Sequence, residues 1–359
     1  MCVVQASKRA LPPPDDILEL AAPKCFLGEG SSSAPFKDGD KTVHPKQLSE
    51  AIQRVMRAQL QAGTQVGMQV SVYYKGRQVA NVCGGVYRSM SEGGDTWKAV
   101  DPSTLFMSYS VCKGVAAAGL MTCVDRGECK YEDRVSEKWS AFAQGDKDAV
   151  SIADAVSHRA GMPGITMRFL PVVAAHLAAA ARGWQSAWCA GTAFIEKYRP
   201  EWAPGTCALY HYVSFSWIIG GIVERVSGLH IHRLVLDRVA APLNQQGNMY
   251  VGLLPGSEQD RAARLEVPHA YTPLPAGWGS PDELASDAEE QAGGSSALES
   301  QEHAPGSAGA LLRKRVFGWI ESSIFVGAGN SWAWRQVCLP SSNGFFTAGA
   351  LGCMYGALS

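Results

Sequence analysis

The sequence predicts an α+β fold in which an antiparallel sheet is flanked by helices and joined to a mainly helical lobe. Three observations support this prediction. Apolar residues recur at helical spacing after Pro45, residues 67–86 alternate between apolar and polar side chains around a Lys-Gly turn, and helices and loops follow residue 110. Strands and helices that are segregated along the chain in this way are typical of the α+β class.

The composition sets limits on function. The chain has 359 residues, 46% hydrophobic and 18% charged, so it is able to bury a large core. Its formal net charge of −1 gives no general attraction to nucleic acid or to an anionic membrane. The N-terminal residues lack a secretory signal pattern, and no window reaches the roughly 18 apolar residues of a membrane span. We therefore expect a cytoplasmic protein without nucleic-acid partners or a membrane span.

Cysteine and histidine patterns give no support to a metal site. The ten cysteines form no C-x-x-C pair, which favours reduced and mostly buried thiols, and Cys112 is interpreted as a small packing residue. His230 and His232 are spaced like metal ligands, but no second cluster completes a site. We interpret them as surface histidines and expect no metal and no cofactor.

The composition of two segments predicts that they form no hydrophobic core. Residues 1–44 are rich in proline, glycine and serine and are interpreted as a flexible N-terminal arm. Residues 273–310 are acidic and almost free of branched apolar residues, which predicts a disordered insertion. The remaining chain, from 45 to 359, is interpreted as one domain that contains this insertion.

The first regular elements are a helix and a hairpin. The apolar stripe that predicts the helix ends at Gly63 and consists of Leu48, Ile52, Val55, Met56 and Leu60. The following alternating run turns at Lys75-Gly76 into a second alternating run, which indicates an antiparallel hairpin. The helix is expected to pack on one face of this hairpin.

Three later apolar runs are predicted to be helices. The first, "VAAAGLMTCVDRG", ends at Gly127, and the second, "SFSWIIGGIVERVSG", ends at Gly228. The third is the final run "TAGALGCMYGAL". Gly349 and Gly352 within it are each expected to weaken that helix by about 1 kcal/mol.

Ser110 and Lys113 form an S-x-x-K pair at the start of the first of these helices. Residues three apart share a helix face, and the helix N-terminus favours negative charge on the serine oxygen. A lysine that is buried among apolar side chains loses hydration, which lowers its pKa and frees its amine to act as a base. The alternative interpretation is an ordinary N-cap serine beside a snorkelling lysine.

The order of motifs around this pair resembles the serine beta-lactamase-like family, which includes class C beta-lactamases, penicillin-binding proteins and related esterases. The family's S-x-x-K helix is followed by a D-x-V stretch and an SHxxG-x-P segment, matched here by Asp133-Arg-Val135 and by "SHRAGMP" at 157–163. Its tyrosine motif follows a "PGT" turn and places Tyr210 on the catalytic tyrosine. The resemblance implies a beta-lactamase/transpeptidase-like fold and an acyl-enzyme mechanism with Ser110, Lys113 and Tyr210 as catalytic residues.

The chain departs from the family pattern at two places. The tyrosine motif usually ends in an asparagine that holds a substrate amide, but here it is Tyr210-His211-Tyr212, which favours the esterase branch. The third motif, K-[ST]-G or H-x-G, is missing, since no lysine or histidine after Tyr210 has a glycine two places on. In the family, that motif lies on a strand that lends an N–H to the oxyanion hole. We therefore expect a sheet that is incomplete at its C-terminal end, as in a truncated protein.

Two functions remain open at this stage. The first is a carboxylesterase-type serine hydrolase acting on a small-molecule ester or amide, in which His211 either assists proton transfer or orients the site. The second is an inactive member of the same fold with a scaffold role, which self-associates through an open sheet edge. Four tryptophans near the tyrosine motif line an acyl pocket or belong to the core; these are Trp184, Trp188, Trp202 and Trp217.

Overall fold

A computed structural model of the protein describes residues 22–26, 34–63, 65–89, 97–163, 184–253, 257–265 and 329–359. The predicted insertion at 273–310 lies outside these residues, as does most of the predicted N-terminal arm. The described part contains helices and antiparallel sheets, so the predicted α+β class is confirmed.

Within the described residues, nine short or medium strands form three antiparallel sheets. The strands are β1 Lys24–Cys25, β2 Phe36–Asp38, β3 Lys41–Val43, β4 Gly67–Tyr74, β5 Arg77–Arg88, β6 Trp97–Ala99, β7 Phe106–Met107, β8 Met249–Val251 and β9 Gly344–Phe346. The largest sheet has the order β1-β5-β4, with β6 also paired to β5. The other two sheets are the pair β2-β3 and the three-stranded β7-β9-β8. Strands β1, β2 and β3 all fall inside the predicted arm, so its described residues include paired backbone.

The helices divide between the large sheet and the helical lobe. They are α1 Pro45–Gln61, α2 Cys112–Asp125, α3 Val135–Lys138, α4 Ile152–Val156, α5 Trp184–Lys197, α6 Ser214–Ser227, α7 Ile231–Leu234, α8 Trp332–Gln336 and α9 Ala348–Leu358. Helix α2 is preceded by a 3-10 turn, Tyr109–Val111. Helices α2 and α6 contact each other within one extensive apolar core that also includes residues of β7, β8 and β9.

Helix α1 forms where the apolar spacing predicts it. Proline stands at its first position, where the missing N–H costs no hydrogen bond. Met56 packs with Met68 of β4 and Val82 of β5, which places the helix on one face of the large sheet. Val55 departs from the predicted stripe and is 58% exposed, because the buried stripe is narrower than the apolar spacing suggested.

The hairpin β4–β5 turns at Lys75 and Gly76, as predicted. Tyr74 pairs with Arg77, so the loop has two residues. Both have positive φ, 48° at Lys75 and 72° at Gly76, which is the requirement of a type I′ turn. This turn matches the right-handed twist of the strands and fixes the register of the sheet.

The opposite face of the hairpin is covered by α9, which the sequence did not reveal. A β-carbon on Gly352 would lie 2.7 Å from the ring of Tyr73, and one on Gly356 would lie 3.0 Å from the same ring. These glycines let the helix approach β4 closely, so Gly352 has a packing function that offsets its low helix propensity. Gly349 has no such neighbour, since its nearest contact would be 3.9 Å away.

The two main helices of the helical lobe end where the sequence predicts. Gly127 and Gly228 follow α2 and α6 with φ of 71° and 69°, the left-handed conformation that glycine adopts without strain. Of the tryptophans near the tyrosine motif, Trp188 and Trp217 are buried in the core at 4% and 1% exposure. The core interpretation therefore holds for these two, whereas the side chain of Trp184 lies outside the described residues.

His230 and His232 are not the surface histidines that the sequence suggested. Both are half-buried, and burial lowers the pKa of His230 to about 4. The His230 ring accepts the N–H of His232 at the start of α7, and Nδ1 of His232 lies 2.9 Å from the carbonyl oxygen of Val251. Their roles are structural, and the described residues contain no group of three metal-ligating side chains.

Substituting the two glycines of α9 by alanine tests the contact between this helix and the sheet. We expect Gly352→Ala to lower the free energy of unfolding by about 1 to 3 kcal/mol, because the overpacked methyl outweighs the gain in helix propensity. Gly349→Ala, the matched control, should leave stability unchanged or raise it by up to about 1 kcal/mol. Urea denaturation of both variants measures the difference, and equal effects would contradict the packing function.

Candidate active site

Ser110 stands at an exposed, constrained turn. It is the middle residue of the 3-10 turn that leads into α2, and its side chain faces solvent. The preceding residue, Tyr109, has φ of 44°, a left-handed conformation that costs a non-glycine residue on the order of 1 kcal/mol. Both Ser108 N and Ser108 Oγ donate to the Gly344 carbonyl oxygen of β9, at 2.9 and 3.0 Å. The turn is therefore fixed to the small sheet, and Ser110 projects from it.

Lys113 connects the turn to two other parts of the chain. Its Nζ lies 3.3 Å from Ser110 Oγ, 3.0 Å from the Tyr212 carbonyl oxygen and 3.0 Å from the Ser341 carbonyl oxygen. The residue is only 7% exposed. The snorkelling lysine of the alternative interpretation is excluded, because the amine points into the protein and not to solvent.

Burial controls the charge of Lys113. It lowers the pKa of the amine below its usual 10.5, while the hydrogen bond and charge of Tyr210 act in the opposite direction. An ammonium would use three N–H groups for its three acceptors. A neutral amine has two N–H groups, which it donates to the two carbonyl oxygens, and its lone pair then faces Ser110 Oγ. In the neutral form of Lys113, the carbonyls thus orient the lone pair toward the serine.

Tyr210 joins the other two residues. The Lys113 amine lies 4.6 Å from the centre of the Tyr210 ring and 5.7 Å from that of Tyr212. Tyr210 is 44% exposed, so its ring borders both the amine and solvent. The structure therefore brings together all three residues that the sequence singled out, Ser110, Lys113 and Tyr210.

The segment that presents the Ser341 carbonyl was missed by the sequence reasoning. Ser216 of α6 accepts the Ser341 backbone N–H at 2.9 Å, and the two serine hydroxyls are 2.5 Å apart. Asn343 accepts the Leu339 N–H at 2.8 Å and donates to the carbonyl oxygens of Trp334 and Val337, so it ties this loop to the end of α8. All of this lies in the core. The available signal was the polar triplet Ser341-Ser342-Asn343 inside an apolar stretch.

The ring of His211 contacts backbone groups through both of its nitrogens. It is fully buried, its Nδ1 lies 2.6 Å from the Leu209 carbonyl oxygen, and its Nε2 accepts the Met162 N–H at 3.0 Å. A proton on Nδ1 satisfies both contacts, and burial lowers the pKa of this ring, which keeps it neutral. Since both nitrogens bind backbone groups, the geometry favours the orienting alternative over proton transfer.

The two remaining motif segments have structural roles of their own. Asp133 accepts the Lys130 N–H at 2.9 Å and lies 3.2 Å from the Lys138 amine, so it closes the turn before α3. In the SHRAGMP segment, the ring of His158 accepts the His211 N–H at 3.1 Å, which attaches this segment to the tyrosine motif.

Among the described helices, none is both long and apolar enough to cross a bilayer.

Comparison with known proteins identifies a family and relatives of this chain. A family model described as Beta-lactamase matches residues 52–357. The protein named Esterase/beta-lactamase LipL, from Mycobacterium tuberculosis (strain ATCC 25618 / H37Rv), is 25% identical over 300 residues, which are 82% of this chain and 58% of the relative. The chain thus spans somewhat more than half the length of that curated relative.

Two solved structures share the fold. A penicillin-binding protein homolog from Caulobacter crescentus is 26% identical with a TM-score of 0.58, and the match covers 86% of this chain and 68% of the other. A family VIII carboxylesterase is 24% identical with a TM-score of 0.56, covering 86% and 69% respectively. These likenesses confirm the beta-lactamase-like fold that the sequence motifs predicted.

The buried histidines near the site predict acid sensitivity of the fold. Burial, with the nearby His211 and Lys113, lowers the pKa of His158 to about 4, against about 6.5 in the unfolded chain. Because the folded-state pKa is the lower one, the free energy of unfolding should be highest above pH 6.5 and fall as the pH falls toward 4. Urea denaturation at about pH 7.5 and about pH 5 measures this loss. His158→Asn removes one titrating ring and should show a smaller loss; an equal loss would contradict the assignment.

Proposed function

Because the chain belongs to the Beta-lactamase family, we propose that it is a serine hydrolase which forms an acyl-enzyme on Ser110. The observation that carries the proposal is the position of the Lys113 amine, 3.3 Å from Ser110 Oγ and held by two backbone carbonyls. A nucleophile and a base within hydrogen-bond reach, with the base oriented by further groups, form the usual arrangement of covalent catalysis. The overall match to the family and this local geometry support the same reaction.

The first half of the reaction forms the acyl-enzyme. Neutral Lys113 accepts the proton of Ser110 Oγ while the oxygen attacks the carbonyl carbon of an ester. The tetrahedral intermediate then collapses, the bond to the leaving alkoxide breaks, and the alkoxide receives a proton and departs as the alcohol. Because Ser110 lies at the N-terminal end of α2, the helix dipole favours the negative charge that develops beside it.

The second half releases the acyl group. A water molecule gives up a proton and attacks the ester carbonyl, and the bond to Ser110 Oγ breaks as this oxygen regains a proton. Tyr210 is suited to move protons in both halves, because its ring borders solvent on one side and the Lys113 amine on the other. Lys113 and Tyr210 together thus carry the proton between serine, alcohol and water.

The residue after His211 favours an ester as substrate over a beta-lactam. Tyr212 contributes its backbone carbonyl to Lys113, but its side chain is an aromatic ring where much of the family has a carboxamide that holds a substrate amide. An ester has no amide N–H that needs such a partner. We therefore assign a small-molecule carboxylic ester as the substrate class, and the name of the relative, Esterase/beta-lactamase LipL, is compatible with it.

Labelling with a fluorophosphonate tests the nucleophile. We expect intact-mass spectrometry to show a single adduct on the wild-type chain. The matched control Ser140→Ala replaces an exposed serine of another turn and should also carry one adduct, because this substitution does not touch the site. Ser110→Ala should carry no adduct and should lose hydrolysis of p-nitrophenyl esters. If wild type and Ser110→Ala react equally, or if neither reacts while both are folded, the chain is a non-catalytic member of the family and the proposal is wrong.

Substitution of Lys113 tests the base. Arginine keeps the positive charge but does not deprotonate, so Lys113→Arg should lower the rate of Ser110 acylation by roughly a hundredfold or more. In the wild type, this rate should rise with pH as the amine loses its proton, with an inflection below 10.5 because burial lowers the pKa of Lys113. The arginine variant should lack that inflection. A variant that keeps both the rate and the inflection would exclude Lys113 as the base.

A further inference from the structure

His158 contacts three consecutive residues of the tyrosine motif. Its backbone carbonyl oxygen accepts the Leu209 N–H at 3.1 Å, and its Nδ1 accepts the His211 N–H, also at 3.1 Å. Between these two bonds, the His158 ring packs against the Tyr210 ring with their centres 4.9 Å apart. His158 therefore binds the backbone on both sides of Tyr210 and also packs against the Tyr210 ring.

The backbone of His158 is bent to make these contacts. Its φ is 64°, in the left-handed region, which few non-glycine residues adopt. The bend is maintained by its neighbours, since Arg159 N donates to the Asp154 carbonyl oxygen at 2.7 Å and Gly205 N donates to that of Arg159 at 2.9 Å. A strained conformation that the surrounding structure holds in place is common beside functional groups.

The contact requires an unprotonated Nδ1. That nitrogen accepts a hydrogen bond, so the proton of the neutral ring is on Nε2. The surroundings favour this neutral form, because the ring is half-buried and lies near His211 and the Lys113 amine, and the Arg159–Asp154 ion pair on its own segment is internally balanced. The ring is thus a stable acceptor over the pH range in which a lysine base operates.

We propose that His158 is a positioning residue of the active site, which holds the Tyr210 ring in place against Lys113 and acts through Tyr210 alone. The inference rests on the proposed function, since it gives Tyr210 a role in proton transfer. His158 reaches Tyr210 through its ring and through its hydrogen bonds to the residues before and after Tyr210. Displacing a catalytic group by about 1 Å costs on the order of a hundredfold in rate.

Asparagine and alanine at position 158 separate the hydrogen bond from general packing. Asparagine tolerates the left-handed conformation and offers Oδ1 where histidine offers Nδ1. We expect His158→Ala to lower kcat for a p-nitrophenyl ester by about 10- to 100-fold with KM changed less than about threefold, and His158→Asn to retain kcat within about fivefold. Rates are normalised to active sites by fluorophosphonate titration, so loss of folded protein does not enter the comparison.

A double-mutant cycle with Tyr210→Phe decides whether His158 acts through Tyr210. If it does, His158→Ala should cost little or nothing in the Tyr210→Phe background, because the hydroxyl that it positions is already absent. An equal loss of kcat in both backgrounds, or a Tyr210→Phe variant as active as wild type, overturns the inference. The proposed function still stands in that case if Ser110 is labelled by the fluorophosphonate. Absence of Ser110 labelling overturns the proposed function, and the inference with it.

Discussion

The hydrogen bonds from Lys113 to two backbone carbonyls are the constraint on which the site depends. An amine in the core must satisfy its N–H groups, because an unpaired buried donor costs on the order of 1 to 3 kcal/mol. Tyr212 and Ser341 supply the two acceptors, and they lie 99 and 228 residues beyond Lys113 in the chain. The rest of the lobe positions these two carbonyls: α6 holds Ser341 through Ser216, the SHRAGMP segment holds the tyrosine motif, and β9 holds the turn that presents Ser110.

This arrangement explains how the lysine is accommodated in the core and how it would act as the base of the proposed reaction. The desolvation that makes the amine available as a base is unfavourable for the folded state, and the two carbonyls offset part of it without adding a negative charge. A carboxylate in the same place would favour the ammonium and remove the base. Neutral acceptors satisfy the amine with less preference for the ammonium than a carboxylate would impose, and this combination suits a lysine that would be the base of the proposed reaction.

Local signals were the most informative part of the sequence. Lys75-Gly76, Gly127 and Gly228 mark turns and helix ends that depend on only a few neighbouring residues, and the structure has them where the pattern predicted. The three residues that the ordered motifs singled out, Ser110, Lys113 and Tyr210, lie close together in the structure. Contacts between distant segments were beyond such signals: neither the role of the Ser341 carbonyl nor the close packing of Gly352 on Tyr73 is visible without the fold, because each depends on which segments meet in space.

The distance along the chain between Lys113 and Ser341 also has a consequence for biosynthesis. A ribosome adds roughly 5 to 20 residues each second, so the second carbonyl emerges on the order of 10 to 50 seconds after the amine that it will bind. During that interval the nascent chain contains Ser110 and Lys113 but lacks the acceptor 228 residues downstream. The two acceptors of the Lys113 amine are therefore both present only after residues 113–341 have been translated.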